Sequence, residues 1–313
     1  MANKEMRAVL AEKLEELMLT NDKIVVVDAD LAKANGTWGL RQKFPQRALD
    51  VGICEQNMTS FAAGLASYGF IPFIGSFTAF ATRRTCDQLA ISVCYAKQNV
   101  KIIGSDPGIS AELNGGTHMS FEDIAVLRSL PGMVIFEPVD AVQLEQSLPQ
   151  IVDYNGPVYI RLFRKPLERV MPEGYTFDLF QADVLREGTD VSIFATGLMV
   201  QEAVKAVELL AAEGISAELV NVHTIKPLDK ETILTSVRKT GCAVTAENHN
   251  VVGGLKSAVA ELLSEEYPVP MKAIGVQDHF GEVAKMDYLM KKYKMTAQDI
   301  AEAAKTAIKS KKG

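Results

Sequence analysis

Short runs of β-branched and apolar residues recur along this chain, each separated from the next by a longer stretch with helical spacing. This alternation restricts the possible folds more than any other feature. IVVVDAD at 24–30, NVKIIGSD at 99–106, GMVIFEP at 132–138 and PVYIRLF at 157–163 read as strands that are apolar on both faces. Strands of that kind belong to parallel sheets covered by helices on either side. The second half repeats the theme with DVSIFATG at 190–197, SAELVNV at 216–222, CAVTAEN at 242–248 and MKAIGV at 271–276. Between the halves, residues 169–188 mix Pro, Gly and charge without a sustained period, as a linker does. A length of 313 residues also exceeds what one hydrophobic core usually serves. The expected fold class is therefore α/β, with two tandem doubly wound domains built on mainly parallel sheets. Residues 1–170 form the first, 171–187 the linker and 188–313 the second.

The net charge of -6 is spread along the chain, and the only basic cluster is the terminal KSKKG. Nucleic acid and anionic membrane are poor partners for such a surface, which leaves small molecules and other proteins. The N-terminal segment interleaves charges with Met6, Val9, Leu10, Leu14 and Leu17 at helical spacing, unlike a signal-peptide core, so a soluble cytoplasmic protein is expected. Cys54, Cys86, Cys94 and Cys242 form no CxxC pair and read as reduced, buried thiols.

In open α/β sheets, ligands bind beyond the carboxyl ends of the strands. That rule selects Asp28 and Asp30, Glu55, Phe77 and Phe80, the loop ending in His118, and Arg161 with Arg164. Glu55 sits in DVGICEQNMTSFAAGLA, which reads as a strand end, a turn at Gly52 and a buried helix from about Gln56. A carboxyl there must find a partner or hold its proton, although an acid in a first helical turn also simply favours the helix dipole. Phe77 and Phe80 could be core or a ring-stacking pair, and the glycine loop before His118 could hold an imidazole over a pocket or merely turn. His223, His249 and His279 have no neighbours at ligand spacing, so no metal site is expected in this chain. Gly253-Gly254 lacks a phosphate-loop pattern and suggests close backbone packing.

Seven segments, DADLAKANGT, DVGICEQNM, GSFTAFATRR, NGGTHMSFED, YIRLFRKP, VHTIKPLD and ENHNVVGGLKSAVAE, together resemble the C-terminal half of transketolase, in order and over nearly the whole chain. The resemblance implies a pyrimidine-binding domain for thiamine diphosphate followed by the transketolase C-terminal domain. It also implies that Glu55 hydrogen-bonds a ring nitrogen of the aminopyrimidine and so sets up proton removal from the thiazolium carbon. Phe77 and Phe80 would stack on the pyrimidine, and Asp30 would be a cofactor-proximal acid at a subunit interface. Arg83 stands where many relatives place a third aromatic. His118 would lie near the reacting sugar hydroxyls, and Arg7 and Arg164 would bind a substrate phosphate. Asn114 replaces an Asp usual in the family, and Ser105 and Ala34 replace a phosphate-contacting His and Ser.

The family's other half holds the diphosphate and a metal through a GDG motif followed by NN, and neither occurs here. The resemblance thus implies one subunit of a split transketolase, whose partner is a separate N-terminal subunit holding Mg2+ or Ca2+, in an α2β2 assembly. The missing phosphate ligands suggest a modified, branched or sulfonated sugar. The beta subunit of a 2-oxoacid dehydrogenase is a rival reading that the EQNM and NGGTH segments oppose. A deoxyxylulose phosphate synthase fragment and a non-catalytic scaffold are further alternatives.

Overall fold

The computed structural model describes residues 4–311. The first domain is built on seven strands. These are β1 (Ile24–Asp28), β2 (Ala48–Asp50), β3 (Ile71–Phe77), β4 (Lys101–Ser105), β5 (Val134–Phe136), β6 (Val158–Leu162) and, from much later in the chain, β10 (Thr224–Lys226). Their order across the sheet is β10-β5-β6-β4-β3-β1-β2, parallel except for β10. The second sheet contains β7 (Asp183–Arg186), β8 (Val191–Ala195), β9 (Ala217–Asn221), β11 (Ala243–Asn250) and β12 (Met271–Val276), in the order β12-β11-β8-β9-β7. It is parallel except for β7.

Two-residue alternation explains why the first-domain strands carry apolar residues on both faces. Val26, Phe73, Ile103 and Ile160 point to one face, where the helices Met6–Thr20 and Ala141–Asp153 deliver Leu10, Leu14, Leu144 and Leu148. Val25, Val27, Ile74, Ile102 and Tyr159 point to the other, where Met58 and Ala62 of the helix Glu55–Ser67 cover them. The second sheet is sandwiched in the same way. The helices Leu198–Ala212 and Ala297–Ser310 lie on one side, and Lys230–Thr240 with Leu255–Glu266 on the other.

Several expectations are corrected here. The stretch read as a linker contains β7, an edge strand of the second sheet, and β10 crosses back to extend the first sheet. The strand β3 carries Pro72 and Gly75, which lower strand propensity, yet it lies inside the sheet between β1 and β4. Gly75 is required by space, since a Cβ there would stand 2.9 Å from Asn35 Nδ2. Cys54 is exposed and Cys86 half-buried; only Cys94 and Cys242 are the buried thiols expected. The helix after Gly52 starts at Glu55, and it is buried on one face only, with Phe61 and Tyr68 on its open side.

Arg161 is fully buried and fastens the domains together. Its guanidinium donates to Asp123 Oδ2 at 2.7 Å, Glu137 Oε1 at 2.6 Å and the Asn248 carbonyl at 2.7 Å. Thr196 of the second domain adds a hydrogen bond to Glu137 Oε2 at 3.1 Å. Glu247 accepts from the backbone N–H groups of Leu255 and Lys256 at 2.7 and 2.9 Å, capping that helix, and burial pushes its carboxyl up to about 7. Gly254 passes so close that a Cβ would lie 1.9 Å from Glu247 Oε2, which bears out the packing reading of Gly253-Gly254.

Candidate functional site

The carboxyl ends of β1, β3, β4 and β6 open toward one edge of the first domain, as parallel topology requires. Glu55 begins its helix there and is 3% exposed. Its partner is Arg84, whose Nη1 donates to Glu55 Oε1 at 2.8 Å. The same guanidinium lies over Phe80, its carbon 4.0 Å from the ring centroid. A buried carboxylate therefore has its counter-charge, and that counter-charge is a planar, delocalised donor resting on an aromatic face.

The half-buried Phe77 and Phe80 form an edge-to-face pair with centroids 6.3 Å apart, and the His118 ring lies 5.7 Å from the first and 5.0 Å from the second. Thr117 Oγ1 is 2.9 Å from His118 Nδ1. The Arg164 guanidinium carbon lies over the Phe77 ring, 5.0 Å from its centroid. Arg164 and Arg7 both donate to the carbonyl of Ala34, each at 3.2 Å. The structure thus brings Glu55, Phe80, His118, Phe77, Arg164 and Arg7 into one continuous constellation. Asp30 and Asn114 are exposed and make none of these contacts; Asp30 has φ of +57° and donates its backbone N–H to Asp50 Oδ1.

Each arginine already has a carboxylate. Arg7 Nε donates to Glu5 Oε2 at 2.7 Å, and Arg164 Nε donates to Asp106 Oδ2 at 2.6 Å. The Arg7 guanidinium beside Glu5, helped by Arg164, holds that carboxyl below its ordinary range. Ser105 faces inward, with its hydroxyl donating to Asn35 Oδ1 at 2.9 Å. Asn35 and Thr37 donate in turn to Asp28, at 3.0 and 2.6 Å, while burial pushes the Asp28 carboxyl up to about 6. Asp28 and Ser105 are therefore supports beneath the site, and Arg161, also picked out by its place at a strand end, is a domain clasp. Arg84, Asp106 and Glu5 escaped the sequence reading. Only the Arg83-Arg84 doublet offered a signal, and there Arg83 instead pairs with Glu122 at 2.7 Å.

The description "Transketolase, pyrimidine binding domain" matches residues 2–169, and "Transketolase, C-terminal domain" matches 181–300. This chain belongs to the transketolase family. It is 54% identical to the 6-deoxy-6-sulfo-D-fructose transketolase subunit of Clostridium sp. (strain MSTE9), over 96% of this chain and 93% of that one. Identity to a subunit of the apulose-4-phosphate transketolase of Phocaeicola vulgatus is 37%, over 87% of each. A solved structure titled "Split gene transketolase, inactive beta4 tetramer" superimposes with a TM-score of 0.91 at 43% identity, covering 98% of this chain and 99% of that chain. The two domains with mostly parallel sheets match the pyrimidine-binding and C-terminal domains of transketolase, as the sequence led one to expect.

The residues present fit the heteroaromatic end of a thiamine cofactor. A planar nitrogen-bearing group, the Arg84 guanidinium, already satisfies Glu55 and Phe80 together. Among the described residues no group of three or more His, Cys, Asp or Glu side chains is placed to hold a metal ion, and no helix is long and apolar enough to cross a membrane.

Proposed function

We propose that this chain is the pyrimidine-binding and C-terminal subunit of a two-chain, thiamine diphosphate-dependent transketolase, and that its donor is a sulfonated ketose of the 6-deoxy-6-sulfofructose kind. A separate N-terminal subunit supplies the diphosphate site and its metal, Mg2+ or Ca2+. The cofactor, when bound, supplies the carbon that accepts the two-carbon ketol unit. Glu55 holds and exchanges a proton at the aminopyrimidine, and burial behind its helix start removes the water that would compete for that bond. Phe77 and Phe80 present apolar ring surface to orient the heterocycle, His118 hydrogen-bonds the sugar hydroxyls, and Arg7 with Arg164 binds the anionic end.

The observation that carries the choice of substrate is the pairing of both arginines. Glu5 and Asp106 cancel much of the charge on Arg7 and Arg164, and Ser105 turns away. Two neutralised guanidinium forks suit a monoanionic sulfonate better than a phosphate dianion, whose second charge would meet two carboxylates. The 54% identical sulfofructose transketolase subunit supports the same reading. Assembly is supported by apolar side chains left exposed around Glu55's helix, with Ile53 at 71% and Tyr68 at 87% exposure, and Tyr95 at 82% on the neighbouring helical segment. The test is steady-state ketol transfer by the reconstituted pair, comparing 6-deoxy-6-sulfofructose with fructose 6-phosphate and xylulose 5-phosphate at saturating aldose. A clear preference in kcat/KM for the sulfonate is expected, and equal or better use of the phosphates refutes the assignment.

A further inference from the structure

The segment that leaves β4 carries substrate-binding elements at both ends, with Asp106, which holds Arg164, at its start, and Asn114 and His118 at its close. Between them the backbone is unusual for a segment meant to be precise. Asp106, Gly108, Glu112 and Gly115 have φ of +52°, +56°, +47° and +75°. Left-handed non-glycine residues keep such conformations only where their surroundings over-determine them.

The surroundings come from the other domain. Asn248, near the end of β11 and 1% exposed, accepts from the backbone N–H of Ile109 at 2.9 Å through Oδ1 and donates through Nδ2 to the Pro107 carbonyl at 2.9 Å. Its amide therefore pairs with this backbone as another peptide would, using one acceptor and one donor. Gly108 lies directly against it, since a Cβ there would stand 2.2 Å from Asn248 Oδ1. Asn248 is itself held from behind, where its carbonyl accepts from Arg161. Two further contacts from the second domain brace the same segment. The Met286 N–H donates to Glu112 Oε1 at 3.2 Å, and a Cβ on Gly116 would meet the Gly281 carbonyl at 2.4 Å.

We propose that the second domain shapes the substrate loop of the first, and that Asn248 is the positioning residue through which it does so. The sugar-binding reading of His118 and Arg164 underlies this proposal; the cofactor contacts of Glu55, Phe77 and Phe80 do not depend on it. Asparagine is required because aspartate can accept from Ile109 but cannot donate to Pro107, and would set a charge against that carbonyl.

Two measurements on Asn248→Asp test it. In the reconstituted pair, KM for the ketose should rise roughly tenfold or more, the effect of one lost buried hydrogen bond and a displaced binding loop, while the Kd for thiamine diphosphate stays within about twofold. In the full chain, amide hydrogen exchange should quicken across 107–118 while β8 and β11 keep their protection. Gly116→Ala, which presses the loop against the Gly281 carbonyl without touching Asn248, should reproduce the KM effect and serves if the aspartate variant does not fold. Unchanged exchange at 107–118 with unchanged ketose KM overturns the proposal, as does a parallel loss of cofactor affinity, which would mark a general structural role. Absence of ketol transfer in the wild-type pair would instead count against the functional assignment, and the exchange measurement would still decide the positioning.

Discussion

Replacing Arg161 with Met removes the centre of the clasp between the domains while nearly conserving volume. The arginine makes four hydrogen bonds from full burial, two to Asp123 and one each to Glu137 and the Asn248 carbonyl. Deleting one member of a buried ion pair usually costs about 3–5 kcal/mol, because the remaining charge stays desolvated. Two carboxyls are left behind here. Burial already pushes Glu137 up; it pushes Asp123 up as well, but there Arg161, with His249 and the Tyr159 hydroxyl assisting, together outweighs burial and holds the carboxyl below its ordinary range. Without the guanidinium, Asp123 should take up a proton, so the loss should stay near ~4 kcal/mol and not double. The pH dependence gives a second signature. The wild-type Asp123 contributes stability that is present above the unfolded value and is lost as pH falls through its lowered folded value. In the variant its folded value lies above the unfolded one, so stability declines as pH rises between the two. The gap between the two proteins should therefore widen from pH 5 to pH 8. Urea denaturation of the full chain at several pH values measures it, and a gap under about 1 kcal/mol, or one independent of pH, would refute the electrostatic reasoning.

Three further outcomes are expected. Glu55→Gln should leave assembly with the partner subunit intact by light scattering yet lower ketol transfer by about 10²- to 10⁴-fold, the usual scale for a proton-handling group; wild-type turnover would reassign the residue. Arg84→Met should destabilise the isolated chain by roughly 1 kcal/mol by leaving Glu55 buried without its donor, and adding Glu55→Gln should restore much of that; no recovery in the double variant would show that the pair is not coupled. Lys101 is fully buried, donates to the carbonyls of Tyr154 and Gly156 at 2.6 and 2.9 Å, and is pushed down to about 7 by burial. A base with a depressed folded value leaves the unfolded chain holding more protons, so stability should climb between about pH 7 and its ordinary range near 10.5, and Lys101→Met should lose that slope; an identical slope in both proteins would contradict the assignment.

Local pattern revealed the strands that are apolar on both faces, because a parallel sheet covered on two sides leaves that mark in each strand separately. It failed for β3, where Pro72 and Gly75 interrupt the composition, and for β7 and β10, which are short edge pieces recruited by pairing with distant segments. At the site, Glu55, Phe77, Phe80, His118 and Arg164 stand at strand ends in the sequence and Arg7 entered through the family resemblance, and the fold does gather them. The residues that tune them were not visible. Arg84 reaches Glu55 across 29 positions, and Asn248 reaches Ile109 across 139, and neither pairing leaves a periodic or compositional trace. Arg161 shows the converse, since its place at a strand end suggested chemistry, whereas its complete burial among two acids and a carbonyl makes it structural.

The most direct test is a calorimetric titration of thiamine diphosphate with Mg2+ into this chain alone and into the chain mixed with a partner subunit carrying the GDG and NN motifs. Weak binding to the chain alone, poorer than micromolar, and tight binding to the pair are expected if, as proposed, Glu55, Phe77 and Phe80 take only the ring end of the cofactor and a partner subunit takes its diphosphate and metal. Micromolar or tighter binding to the chain by itself would contradict a divided site.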